Sequence, residues 1–207
     1  MTDGAASPRR TASDPATRPP ADEEGYATVA VAPDAEALYA VLRDALVAHR
    51  RRARRPFRLV GIHSGGTWIA ERLQRDLDLD GRAGALDISF YRDDFNRIGL
   101  HGQVKPTDLP FDVGGADILL VDDVLYSGRT LRGALNVLFD FGRPARVDLA
   151  VLIDRQTPED DARELPIAAR WCGARLRLAR DAEFVLSNDG GRFAVAIAET
   201  VRSRPER

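Results

Sequence analysis

One stretch constrains this chain more than any other: Ile118-Leu119-Leu120-Val121-Asp122-Asp123-Val124-Leu125-Tyr126-Ser127-Gly128-Arg129-Thr130. Four aliphatic residues in a row read as a strand buried on both faces, the mark of a parallel sheet covered by helices. Two carboxylates follow at the strand's C-terminal end, where open α/β sheets place their ligands. The loop Ser127-Gly128-Arg129-Thr130 then offers backbone N–H groups, two hydroxyls and a helix N-terminus, which together suit a phosphate. One helix end contributes only ~0.3–1 kcal/mol to an anion, up to ~2 when partly buried, so several converging N–H groups have to add to it.

The bulk numbers fit one folded domain. At 207 residues, with 44% hydrophobic and 30% charged content, the chain can bury a proper core. A formal net charge of −2 argues against a generic nucleic-acid binder, local basic patches aside. Cys172 stands alone, which excludes a disulfide framework and a cysteine metal site. No run approaches transmembrane length and the N-terminus lacks an apolar signal core, so the expected compartment is the cytoplasm and no membrane partner is expected.

Residues 1–24, rich in Pro, Ala, Ser, Thr and charge, read as a disordered tail, and 25–207 as a single domain. A first helix starts near Asp34, an N-cap after Pro33, with Leu38, Val41, Leu42, Ala45 and Leu46 along one face. A basic run from His49 to Arg55 follows. Leu59 to Ile62 reads as a buried strand, His63-Ser64-Gly65-Gly66-Thr67 as a loop, and the next segment as a helix carrying Trp68, Ile69, Leu73 and Leu77. A further strand is expected at Leu86 to Tyr91, then a long polar loop from Arg92 to Gly115, of a length that is usually functional. After the motif comes a helix burying Leu131, Leu135, Leu138 and Phe139, stopped at Gly142 and Pro144, then a strand from Val147 to Ile153. Phe184–Leu186 and Phe193–Ile197 form a hairpin turning at Asn188 to Gly191. The fold class is therefore α/β: a mainly parallel central sheet flanked by helices, with a C-terminal hairpin.

The acid pair and loop at 122–130 resemble the phosphoribosyl-diphosphate motif of type I phosphoribosyltransferases. Three further elements narrow the resemblance: Tyr91-Arg92-Asp93-Asp94, Gly142-Arg143-Pro144 and Arg163-Glu164-Leu165-Pro166. With them the chain is similar, over most of 33–199, to the pyrimidine operon attenuator / uracil phosphoribosyltransferase family. That resemblance implies the type I phosphoribosyltransferase fold, a flexible hood loop over 92–115, and a homo-oligomer. It implies conversion of uracil and phosphoribosyl diphosphate to UMP and diphosphate with Mg²⁺, and, in many members, binding of a pyrimidine-gene leader RNA.

The resemblance carries roles residue by residue. Asp122 and Asp123 take the ribose hydroxyls and face Mg²⁺ mainly through substrate and water. Tyr126, Ser127, Gly128, Arg129 and Thr130 hold the 5′-phosphate. Ser64, Gly65 and Gly66 approach the diphosphate, the glycines letting backbone come close. Ile153, Asp154 and Arg155 lie where the uracil ring is read, by backbone groups. Arg92, with Arg97 and Lys105 beside it, supplies a cation for the departing diphosphate. The chemistry suits these residue types, because positive charge develops on the ribose as diphosphate leaves.

Two departures from the family pattern stand out. Ser64-Gly65-Gly66 lacks the basic residue the family carries in that loop. At the RNA-contacting positions the chain has Ala162-Arg163, Ala168 and Gly173-Ala174, with Val41 and Ala45 on the first helix; only Arg50 is kept there. RNA binding needs cations against phosphates, so the enzyme reading is favoured. The alternatives are a UMP-sensing RNA-binding attenuator and a phosphoribosyltransferase for another base, since the motif reads ribose and phosphate rather than the base. His49, His63, His101, Cys172, Trp68 and Trp171 carry structural readings.

Overall fold

The computed structural model describes residues 25–88, 106–158 and 163–199. The expected tail at 1–24, most of the hood segment with Arg92, Arg97, His101 and Lys105, and Ala162 lie outside the described residues.

The chain order is β1 (Ala27–Thr28), α1 (Ala35–Arg52), β2 (Phe57–Ile62), α2 (Gly65–Asp76), β3 (Gly84–Leu86), β4 (Asp117–Leu125), α3 (Arg129–Asp140), β5 (Arg146–Gln156), β6 (Trp171–Arg177), β7 (Ala182–Asp189) and β8 (Arg192–Glu199). Among the described residues, β1 to β6 form a six-stranded sheet in the order β1-β6-β5-β4-β2-β3, with every neighbouring pair parallel. The strands β7 and β8 pair antiparallel as a separate hairpin turning at Gly190 and Gly191. No described helix is long and apolar enough to cross a membrane.

Apolar side chains divide between the two faces of the sheet. On one face Tyr39, Leu42 and Leu46 of α1, Ile69 and Leu73 of α2, and Phe184 and Phe193 of the hairpin pack over Leu59, Leu119 and Val121. On the other, Leu131, Ala134 and Leu138 of α3 pack over Val60, Ile118 and Leu120. Burying one such side chain is worth about 1.5–3 kcal/mol, against about 1 kcal/mol for a helix cap, so packing rather than capping holds these helices down. The cap sets where α1 starts: the Asp34 carboxylate accepts from the N–H of Glu36 at 2.9 Å and of Ala37 at 3.3 Å.

Several sequence expectations need correction. Val41 points to solvent and Tyr39 takes its place in the core, because the buried stripe of α1 runs Ala35, Tyr39, Leu42, Leu46. Phe139 is likewise exposed, and Ala134 lies inward instead. The glycine pair belongs to the first turn of α2, so the loop before that helix is only His63–Ser64, whose peptide is cis. The strand expected from Leu86 to Tyr91 starts earlier, at Gly84, and pairs with Val60–Ile62 as far as Leu86; residues 89–91 lie outside the described residues. The motif strand runs on through the acid pair to Leu125, held in register by β5. Strand β6 is an element beyond those expected from the sequence; its Gly173 packs so tightly that a β-carbon there would meet the carbonyls of Leu38 and Leu152 at 2.6 and 2.7 Å.

Candidate active site

The chemistry-bearing residues gather at the C-terminal ends of β2, β4 and β5. Parallel pairing puts those ends side by side: Gly61 is in register with Val121, and Leu125 with Asp154. The two helices that follow β2 and β4 begin at this same edge, α2 at Gly65 and α3 at Arg129. Neither Ser64 nor Gly128, at their N-cap positions, supplies a side-chain cap, in contrast to Asp34 on α1. Both helices thus present first-turn N–H groups that their cap residues leave available to an anion, although in α3 the Arg129 N–H donates to Ser127 Oγ at 3.3 Å.

Between the two helix ends stands the acid pair. Asp122 is buried and accepts from the Asp123 N–H at 3.0 Å; Asp123 is half-buried and accepts from the Val124 N–H at 3.0 Å. The glycine pair is packed directly on β4. A β-carbon at Gly65 would stand 2.5 Å from Asp123 Oδ2, and one at Gly66 would overlap the Val121 carbonyl. The close approach that the glycines permit is therefore to the acid strand itself. Gly128 has φ of +94°, a left-handed conformation that other residues adopt only with strain, and it turns the chain from β4 into α3.

The segment after β5 lies over this loop as a strap. The Arg163 guanidinium donates to the Tyr126 carbonyl at 2.5 Å and to Asp154 Oδ1 at 2.5 Å. The Glu164 N–H donates to the Ser127 carbonyl at 3.0 Å, and Arg129 Nε donates to the Glu164 carboxylate at 2.6 Å. Leu165 and Ile167 close against Gly128, where a β-carbon would meet them at 3.3 and 3.5 Å. The two ion pairs differ in weight. Arg129–Glu164 is about half exposed, and such pairs contribute roughly 0–1 kcal/mol. Arg163–Asp154 has side-chain exposures of 11% and 7%, and removing one partner of so buried a pair costs about 3–5 kcal/mol.

Ile153, Asp154 and Arg155 are buried within β5; all three are in register with β6, and Ile153 and Asp154 also with β4. The ladder with β4 ends at Leu125 and Asp154, so Arg155 stands at the end of β5 just past that pairing. The Asp154 carboxylate is engaged by Arg163 and, at 4.0 Å, by Arg175. Tyr26 lies beside it, its hydroxyl pKa pushed up by burial and then by the Asp154 charge. Arg155 stacks on the Tyr126 ring at 4.0 Å and donates to the Ala179 carbonyl; its Nε is buried without a hydrogen-bond partner among the described residues. Burial lowers the Arg155 pKa, with Tyr126 and Glu183 acting in the opposite direction.

Among the described residues, no group of three or more His, Cys, Asp or Glu side chains is arranged to hold a metal ion. Two carboxylates at a ligand-facing edge fit an ion such as Mg²⁺, which keeps most of its waters and arrives with substrate oxygens. His63 Nδ1 lies 3.1 Å from Thr67 Oγ1, at the start of α2. Cys172 is half-buried and packs on the α3 face of the sheet. Trp171 stacks with His49 at 4.5 Å and lies under Arg170, two strands across the sheet from Val121.

What sequence reasoning did not find is the structural work of Arg163 and Glu164. They stood out only as family markers, and no local signal could pair Arg163 with a carbonyl 37 positions away.

Residues 34–170 match the family described as phosphoribosyl transferase domain. The bifunctional protein PyrR of Pseudomonas aeruginosa (strain LESB58) is 56% identical over 124 residues, 60% of this chain and 70% of the relative. That of Nitrosococcus oceani is 52% identical over 131 residues, 62% and 71% of the two chains. Among solved structures, a hypoxanthine-guanine phosphoribosyltransferase from Bacillus anthracis superposes with a TM-score of 0.57 at 17% identity, covering 81% of this chain and 98% of that one. The hypoxanthine phosphoribosyltransferase of Trypanosoma cruzi gives 0.54 at 17%, covering 85% and 98%. At such identities these structures speak for the fold alone, and the fold is that of the type I phosphoribosyltransferases.

Proposed function

Because this chain belongs to the phosphoribosyl transferase domain family, and within it to the pyrimidine operon attenuator / uracil phosphoribosyltransferase (PyrR) family, we propose that it transfers the phosphoribosyl group of phosphoribosyl diphosphate to uracil, giving UMP and diphosphate. The observation that carries the reading is the edge where two helix N-termini flank Asp122 and Asp123, with Gly65 and Gly66 pressed onto the acid strand.

In the reaction the C1′–O bond to diphosphate breaks with its electron pair leaving on oxygen, and uracil N1 bonds to C1′ and gives up its proton. Positive charge grows on the ribose before the new bond is complete, and the Asp122 and Asp123 carboxylates at the ribose hydroxyls favour it. The N–H groups and hydroxyls of Ser127, Gly128, Arg129 and Thr130 take the 5′-phosphate. Ser64, Gly65, Gly66 and the N-terminus of α2 meet the diphosphate, and Arg92 joins them on the strength of the resemblance. Tyr126 and Arg155, stacked at the end of β5, offer a flat surface and a donor beside the base. Asp122 and Asp123 would hold Mg²⁺ mainly through substrate and water, and the ion would supply charge neutralisation for the leaving diphosphate.

The relatives are called bifunctional, and the regulatory half is the second reading: a nucleotide-dependent hold on leader RNA. The retained cations are largely engaged within the protein. Arg163 pairs with Asp154, and Arg50 donates to the Asp78 carbonyl at 2.7 Å. That favours catalysis as the main activity. The test is turnover of labelled uracil with phosphoribosyl diphosphate and Mg²⁺, with hypoxanthine, guanine and orotate in parallel. UMP from uracil alone supports the proposal. Turnover of another base instead corrects the substrate, and UMP binding with no turnover of any base moves the reading to a sensor.

A further inference from the structure

We infer that Arg163 is a positioning residue for phosphate binding: by holding the Tyr126 carbonyl to β5, it aims the N–H groups of the loop at the ligand. In a trans peptide the C=O and the following N–H point in opposite directions. Tyr126 C=O shares its peptide with Ser127 N–H, and Ser127 C=O shares its peptide with Gly128 N–H; both are trans. The Arg163 guanidinium takes the first carbonyl and the Glu164 N–H takes the second. Both peptides are thereby turned with their N–H groups away from the strap. Neither the Ser127 nor the Gly128 N–H has a hydrogen-bond partner among the described residues. Two adjacent donors left open in this way form the concave anion site that a phosphate needs.

Arg163 can act as a fixed point because its other arm is anchored. Asp154 is buried in the central strand β5, and the pair is almost wholly enclosed. A planar guanidinium serves both oxygens with a rigid fork, which a lysine could reach only one at a time. Without the fork, the Tyr126–Ser127 peptide is free to rotate and its N–H no longer stays on the ligand side. Both arms of the guanidinium are taken by protein oxygens, so Arg163 acts through the loop.

The inference deepens the reading above and rests on its phosphate loop, though not on uracil as the base. Its test therefore uses ribose 5-phosphate, titrated by calorimetry into the full-length protein, alongside steady-state kinetics. Arg163→Ala is expected to weaken ribose 5-phosphate at least tenfold and to raise KM for phosphoribosyl diphosphate by a similar factor. Arg163→Lys is expected to recover only part of the loss. If Arg163→Ala fails to fold, the neutral pair Asp154→Asn with Arg163→Gln replaces it, since it leaves no buried charge alone. Ribose 5-phosphate affinity within twofold of wild type in a folded variant overturns the inference. So does an equal fall in activity with both KM values unchanged, the mark of a merely structural role. A wild type that binds ribose 5-phosphate but never uses uracil would sink the choice of base and leave this test intact.

Discussion

Gly65 lies so close to Asp123 that a β-carbon on it would stand 2.5 Å from Asp123 Oδ2 and 2.7 Å from its Cγ, while one on Gly66 would overlap the Val121 carbonyl. The two glycines therefore face different obstacles, a side chain and a backbone. Gly65→Ala is expected to fold with a loss of about 1–3 kcal/mol, typical of overpacking, because the aspartate can swing aside. Its turnover should fall at least tenfold, roughly the 1.4 kcal/mol of a displaced carboxylate. Gly66→Ala should lose more stability, because a strand carbonyl cannot swing. Thermal melts and kinetics of the two variants check the order, and equal melts would count against it.

Asp123→Asn keeps the shape and removes the charge. On a half-buried, hydrogen-bonded site the change in stability should be small, within about 0.5–1 kcal/mol. Activity should drop about 10²-fold or more if the carboxylate meets the developing ribose charge. Asp122→Asn should differ in also destabilising the fold, since Asp122 is only 5% exposed. A folded Asp123→Asn enzyme with full turnover would remove Asp123 from the mechanism.

Arg72 joins α2 to α1 and the C-terminal hairpin. Its guanidinium lies over Tyr39 at 4.2 Å and Phe193 at 5.0 Å, and it donates to Glu36 at 2.8 Å. Glu36 also accepts the Phe193 N–H at 2.7 Å. The Arg72 hydrogen bond, foremost, holds the Glu36 carboxyl below its ordinary value of 4.5. A folded value below the unfolded one means that Glu36 stabilises fully above about pH 4.5 and less as pH falls through its folded value. In urea unfolding, the advantage of wild type over Glu36→Gln should be present at pH 7 and shrink steadily below pH 4.5. Arg72→Leu should cost about 1–3 kcal/mol at pH 7, from the acceptor it leaves unsatisfied.

Chelation supplies the fourth test. With only two carboxylates at the edge, Mg²⁺ should bind weakly without substrate, so brief EDTA treatment should abolish turnover and added Mg²⁺ restore it in full. The melting temperature of the free protein should not move. A melting transition that falls on chelation would point to a structural ion instead.

The parts of this molecule that could be read in the sequence are those whose causes are local. The run Ile118 to Thr130 announced strand, acids, loop and helix because each piece depends on its immediate neighbours. Asp34 marked a helix start for the same reason, and Asn188-Asp189-Gly190-Gly191 marked a turn. The alternation of strands and helices gave the α/β class and the resemblance the type I phosphoribosyltransferase fold, and the parallel sheet with its separate hairpin agrees with both.

Tertiary structure alone decided the rest. Helical spacing allowed either Val41 or Tyr39 to face inward, and the surfaces of β6 and the hairpin chose Tyr39. Strand β6 alternates apolar and polar residues only from Ala174 to Arg177, and its first half, Trp171 to Gly173, becomes strand because the edge of β5 offers it a ladder. Gly65 and Gly66 signalled close approach without saying to what; folding of α2 against β4 made it Asp123 and Val121. Arg163 meets Tyr126 and Asp154 only because β4 and β5 run parallel in register, bringing together groups 37 and 9 positions away in the chain. Local sequence determined the chemistry on offer at this edge, and long-range packing decided which of those groups point at a ligand and which hold the others in place.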